Sequence, residues 1–185
     1  MNFLRNFYKN VGVDLGTANI LMFLDNKGIV INEPTLVAVN NRTNQIISVG
    51  NDAKKMLDRT PAHISLIKPL MNGVISDFET TEQILKYFLN KANKREFFSR
   101  YNIGAISVPT NLTEVERKSV EDAAISAGVS KVYLIEAPIA GAIGAGLPIE
   151  EPTSNMIIDI GGGTTEISII SAGGVVVSKS LKIAG

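Results

Sequence analysis

Two short stretches carry the residue types from which a phosphate site can be built. In the first, Asp14 closes an apolar run and leads through Leu15 into Gly16-Thr17-Ala18-Asn19 before the next apolar run. In the second, Asp159 stands near the end of "MIIDI" and leads through Ile160 into Gly161-Gly162-Gly163-Thr164-Thr165 before "EISII". Glycine lets the backbone curl so that successive N–H groups converge into a nest for anionic oxygen. Thr17, Thr164 and Thr165 add small hydroxyl donors. A carboxylate at each strand end, Asp14 and Asp159, is placed to hold Mg²⁺, directly or through its waters, beside the phosphates. A single glycine turn is ordinary hairpin punctuation. Two matching turns, each with its acid, point to two lobes gripping one polyphosphate.

Other chemistries find little to work with. Neither the Walker spacing Gly-x-x-x-x-Gly-Lys-Ser/Thr nor a Gly-x-Gly-x-x-Gly after the first strand occurs. "GAIGAG" at 141–146 has the latter spacing only in reverse, inside a run that reads as helix, where small residues serve close packing. Cysteine is absent, which removes disulfides, thiol catalysis and thiolate metal sites and fits a reducing cytoplasm. The single histidine, His63, has no second ligand candidate beside it and reads as a surface or packing residue. Lys plus Arg and Asp plus Glu number 18 each, so no net field recruits nucleic acid.

At 185 residues the chain suits one core or two small lobes sharing a cleft. From Val11 the pattern is strand, turn, strand, then a turn at Asn26-Lys27-Gly28 and strands through "IVINEPTLVAV" and "QIISVG". A turn is expected around 40–44 and a short helix over 52–57. "SDFETTEQILKYFLNKAN" puts Ile84, Leu85, Phe88, Leu89 and Ala92 on one helical face, capped by Ser76 or Asp77. "NIGAISVP" reads as a buried strand, and the next helix opens on the capping-box spacing Thr113-x-x-Glu116 and stops at Gly128. "KVYLIEAP" is a further strand, a helix of small residues begins at Pro138, and "MIIDIGGGTTEISII" reads as a buried hairpin. This order predicts an α/β layered fold with parallel pairing in its centre. The expected organisation is an amphipathic leader at 1–10, a first large subdomain from 11–32 and 68–145, a small inserted subdomain at 33–67, and the opening of a second large subdomain at 146–185.

No apolar stretch reaches the ~18–20 residues that span a bilayer. Phe3, Leu4, Phe7 and Tyr8 nevertheless fall at helical spacing against Arg5 and Lys9. That suits either a leader packed on its own domain or an interfacial anchor, weak alone and strengthened by avidity. Phe97 and Phe98, flanked by Lys94, Arg95 and Arg100, suit either packing under a helix end or a second membrane-touching tip.

"VGVDLGTANILMFL", "GIVINEPTLVAV", "VGNDAKKMLDRTP", "GVISDFETTEQIL", "AIGAGLPIEEPT" and "MIIDIGGGTTEISIISAGGVV" resemble, nearly end to end, the MreB family of bacterial actin-like filament proteins. "DLGT" and "DxGGGT" alone are shared with heat-shock chaperone ATPases, whereas "DLGTAN" with "NEPTLVAV" and "IGAGLP" narrows the likeness. The resemblance implies an actin-like (ribonuclease H-like) mixed sheet flanked by helices, with a small inserted subdomain, and ATP with Mg²⁺ clamped between the two hairpins. It also implies self-association into filaments that govern cell shape. Such filaments would be cytoplasmic and peripheral on the inner face of the cell membrane, with cell-shape or wall-synthesis proteins as further partners. Gly16, Thr17, Ala18 and Asn19 would form the first phosphate loop and Gly161 through Thr164 the second. The alternative is a non-polymerising ATPase of the same superfamily, chaperone-like or a small-molecule kinase, for which no pocket with its own base can be pointed to.

Two departures matter. The family orients its hydrolytic water with the Thr after the triple glycine, here Thr164, and with an acid immediately before the Pro of a Glu/Asp-Glu-Pro motif. This sequence reads Glu136-Ala137-Pro138. A methyl at 137 cannot polarise water, and Glu136, one residue earlier at a strand end, is expected to face the other way. Loss of a positioned general base costs ~10²–10⁴-fold in rate, so ATP binding with very slow hydrolysis is expected. Family members also continue past "LKIAG" with the rest of the second lobe and its adenine pocket.

Overall fold

The computed structural model describes residues 8–25, 27–71, 73–93 and 100–183. The expected anchor residues Phe3, Leu4, Phe7, Phe97 and Phe98, and the turn residue Asn26, lie outside these. Tyr8 is described only as the first backbone position of a strand.

β1 (Tyr8–Leu15) and β2 (Asn19–Leu24) form an antiparallel hairpin around the first glycine turn, and β3 (Gly28–Pro34) pairs antiparallel with β2. β3 runs through Pro34, so the large sheet extends past residue 32 into the stretch assigned to the insertion. That stretch then folds on itself. β4 (Val37–Asn40), β5 (Gln45–Val49) and β6 (Ile64–Ile67) make a separate antiparallel sheet in the order β5-β4-β6. The helix expected at 52–57 is a single turn, α1 (Asn51–Lys54), followed by further turns.

A tight hairpin of β7 (Leu70–Met71) and β8 (Val74–Ile75) leads into α2 (Phe78–Ala92). Of the two cap candidates, Asp77 accepts from the Thr80 amide at 3.0 Å, while the Ser76 hydroxyl donates to the Pro69 carbonyl. Ile84, Leu85, Phe88, Leu89 and Ala92 are all buried. β9 (Arg100–Val108) enters the large sheet parallel to β1, and α3 (Glu114–Ser126) opens on the Thr113–Glu116 capping box. β10 (Val129–Glu136) starts two residues before the expected strand, directly after Gly128 at φ 115°. The large sheet reads β10-β9-β1-β2-β3, parallel in its first three strands. α2 and α3 cover one of its faces, where Val11, Val13, Ile20, Met22 and Ile106 join their side chains in the main core.

α4 (Ala137–Gly144) begins at Ala137, with Glu136 as its N-cap, and leads to a second antiparallel sheet of β11 (Asn155–Ile160), β12 (Thr165–Ser171) and β13 (Gly174–Leu181). This hairpin is not buried as expected. Glu166, Ser168 and Ile170 are buried on one face, but Met156, Ile158 and Ile160, all at alternate positions of β11, stay 63%, 58% and 65% exposed on the other. An uninterrupted apolar run reports two apolar faces, not that both are covered. Among the described residues no helix is long and apolar enough to cross a membrane.

Candidate phosphate-binding cleft

The two glycine turns are built alike. The Gly16 amide donates to the Asn19 carbonyl at 3.1 Å, and the Gly161 amide donates to the Thr164 carbonyl at 2.8 Å. In both, the acid stands two residues before that glycine. The first amide of each turn closes the loop and leaves the next ones over. The N–H groups of Thr17, Ala18, Gly162, Gly163 and Thr164 donate to no acceptor among the described residues. Donors that line an open cleft are satisfied by water until a ligand displaces it.

These turns meet across a cleft. Any side chain at Gly162 would collide with Ala18, and a Cβ at Gly163 would lie 2.9 Å from Thr17 side-chain atoms. Glycine is needed there for the approach of one loop to the other as well as for the curl of each. Between them lies a cavity of ≈ 220 Å³ that brings together Asp14, Gly16 through Asn19, Asp159, Gly161 through Thr164, and Ala137. Two predicted residues are turned elsewhere. The Thr165 hydroxyl donates to the Ile183 carbonyl at 2.8 Å, and Glu136 pairs with Arg117 at 3.4 Å; neither borders the cavity.

Asp14 lines the cleft, open to solvent on one side and partly desolvated by the walls on the other. That desolvation raises its pKa against the hydrogen bond from Ser107 at 3.0 Å, which lowers it, and the charge of Asp159 adds to the rise. Two carboxylates that feel each other stand beside unpaired amides, residue types that could hold a cation and an anion respectively.

Several contributors escaped the sequence reading. Buried Thr35 braces the first turn, its hydroxyl donating to the Gly16 carbonyl at 2.7 Å and its amide to the Ala18 carbonyl at 2.9 Å. The Gly73 amide donates to the Thr17 hydroxyl oxygen at 2.9 Å, so the Thr17 proton is left for a ligand. Ser107, Pro109 and Glu166 also border the cavity. Ser107 is the Cα partner of Asp14 across β9 and β1, a pairing that no local pattern announces. Glu166 did leave a signal: a lone charge in the alternating run "TEISII" at a position that is only 6% exposed.

Fold and cleft together define an actin-like protein whose paired glycine turns, one in each of two sheets, border one cavity. The model described as "MreB/Mbl protein" matches residues 8–185, and the chain belongs to that family. It is 49% identical over 179 residues to the cell shape-determining protein Mbl of Bacillus cereus (strain ATCC 10987 / NRS 248), covering 97% of this chain and 54% of the relative. The cell shape-determining protein MreB of Escherichia coli (strain K12) is 44% identical over 183 residues, with 97% and 53% covered. MreB5 of Spiroplasma citri, solved bound to ADP and bound to AMPPNP, superposes with TM-scores of 0.88 and 0.87 at 39% identity, over 96% of this chain and 53% of that one. The chain thus spans about half the length of the relatives it matches.

Proposed function

We propose that this chain binds ATP with Mg²⁺ between the paired turns and turns it over slowly, and that it polymerises into membrane-associated filaments serving cell shape. The observation that carries the nucleotide is the set of five unpaired amides and two carboxylates on one cavity. Relatives named for determining cell shape, and MreB5 bound to ADP and AMPPNP, support the wider reading.

The amides of Thr17, Ala18, Gly162, Gly163 and Thr164, with the Thr17 hydroxyl, hold phosphate oxygens. Asp14 and Asp159 fit Mg²⁺, a hard cation bound through one or two carboxylates together with phosphate oxygens; when bound it neutralises phosphate charge. Thr164 orients water at the terminal phosphate. Ala137 offers that water only a methyl, and Glu136 is occupied by Arg117. A filament that keeps its ATP follows from this pairing. Membrane attachment rests on the spacing of Phe3, Leu4, Phe7 and Tyr8 and on Phe97 and Phe98.

Titration of a fluorescent ATP analogue with and without Mg²⁺ tests the site, and pelleting with ATP tests polymerisation. Saturable, Mg²⁺-dependent binding that Asp159→Asn abolishes is expected; binding indifferent to Asp159 and to Mg²⁺ would sink the assignment. Exchanging Phe3, Phe7, Phe97 and Phe98 for Ser should end liposome co-sedimentation.

A further inference from the structure

Slow turnover still needs a group to take the proton of the attacking water, and neither Ala137 nor Glu136 supplies it. One carboxylate on the cavity has no assigned role. Glu166, on β12, borders the cavity although it is only 6% exposed, and it is the Cα partner of Asp159 on β11. Directly opposed residues share a face of the sheet, so the two acids are neighbours on the cleft side. Thr164 stands two residues before Glu166, about 7 Å along an extended chain, and borders the same cavity. Water held by Thr164 is therefore within a side chain's reach of Glu166.

The two oxygens of this carboxylate are used differently. Oε1 accepts from the Ser178 hydroxyl at 2.9 Å and, more loosely, from the Thr110 amide at 3.4 Å. The Ser168 hydroxyl in turn donates to the Ser178 oxygen at 2.8 Å. These bonds fix how the carboxylate is turned. Oε2 accepts from no group among the described residues. No buried side-chain oxygen among them lacks a partner, so Oε2 reaches solvent, and the open space that Glu166 borders is the cleft. A carboxylate gripped by one oxygen and open at the other has the form of a proton acceptor.

We propose that Glu166 is the catalytic base of this chain's residual ATP hydrolysis, acting through Oε2. This rests on the nucleotide reading and supplies the base that it lacks. The water oxygen bonds to the terminal phosphorus, the bond from that phosphorus to the bridging oxygen breaks, and its electron pair leaves with ADP. The proton that the water sheds passes to Oε2 and then to solvent, which restores the carboxylate.

The test is single-turnover phosphate release by the whole chain, in the parent and in Ala137→Glu, with affinity for a fluorescent ATP analogue and Mg²⁺ measured alongside. In the parent, Glu166→Gln, whose Oε1 still accepts from Ser178 and Thr110, lowers release about tenfold or more and leaves affinity within about twofold. In Ala137→Glu, where the second acid takes the proton, the same change alters release by less than about twofold. A structural role, or a role in holding Mg²⁺, would lower release alike in both backgrounds. That result overturns the proposal, and so does an unchanged rate in the parent. Should Glu166→Gln not fold, Glu166→Asp draws the carboxylate back by one methylene and carries the same prediction in both backgrounds. A parent that binds the analogue yet releases no phosphate above the uncatalysed rate overturns this proposal and leaves the binding site standing, whereas a parent that binds no nucleotide removes both.

Discussion

The Ala18 methyl occupies the space that any side chain at residue 162 would need. Gly162→Ala should hold the two turns apart and weaken binding of an ATP analogue about tenfold or more, read by fluorescence titration. Gly174→Ala, at a position with open space around it, is the matched control and should bind as the parent does.

The raised pKa of Asp14 has a sign. A carboxyl whose folded pKa lies above its unfolded value, about 3.9, favours the fold while protonated in both states. That contribution is lost as pH rises through the folded value. Asp14→Asn should therefore raise the melting temperature of the ligand-free protein at neutral pH, with the gain vanishing below about pH 4. A variant that melts lower than the parent at pH 7 would contradict the cause assigned, which is desolvation first and Asp159 as the second raising influence.

Restoring the missing acid is the direct test of slow turnover. Ala137→Glu should raise phosphate release by ~10²–10⁴-fold, and adding Thr164→Ala to that variant should return it toward the parent. Glu136→Gln should leave the parent's rate alone, because Glu136 pairs with Arg117 and does not border the cavity.

The small sheet is pinned to the large one by a buried carboxylate. Glu33, on β3, pairs with Lys91 of α2 and accepts from the Asn51 amide at the start of α1 at 3.1 Å. Lys91→Met leaves that carboxylate buried without its cation and should cost about 2–3 kcal/mol in denaturant unfolding. Glu33→Gln keeps an acceptor for both donors and should cost about 1 kcal/mol.

Much of this was legible in the sequence, for local reasons. The face of α2, the caps at Asp77 and Thr113, and the two glycine turns each depend on residues within a few positions of one another. The parallel centre also followed from element order, and β4 and β5 of the small sheet from pattern, whereas its third strand, β6, was not read as one. What stayed hidden is long-range. Ser107 reaches Asp14, Gly73 reaches Thr17 and Thr35 braces Gly16 because strands distant in sequence were brought into register, and one strand's pattern holds no record of its neighbour's side chains. The exposure of β11 was hidden for another reason: hydropathy shows that a face wants covering, not whether something covers it.

That uncovered face has a practical consequence. Met156, Ile158 and Ile160 stand beside the partly exposed Ile169, Ile167 and Thr165 across the register of β11 and β12, forming an apolar patch on one face of the antiparallel sheet. Patches of this kind cause proteins to clump. Charged replacements at 156 and 158 should raise the concentration at which the protein stays in the supernatant, without touching the cleft on the opposite side.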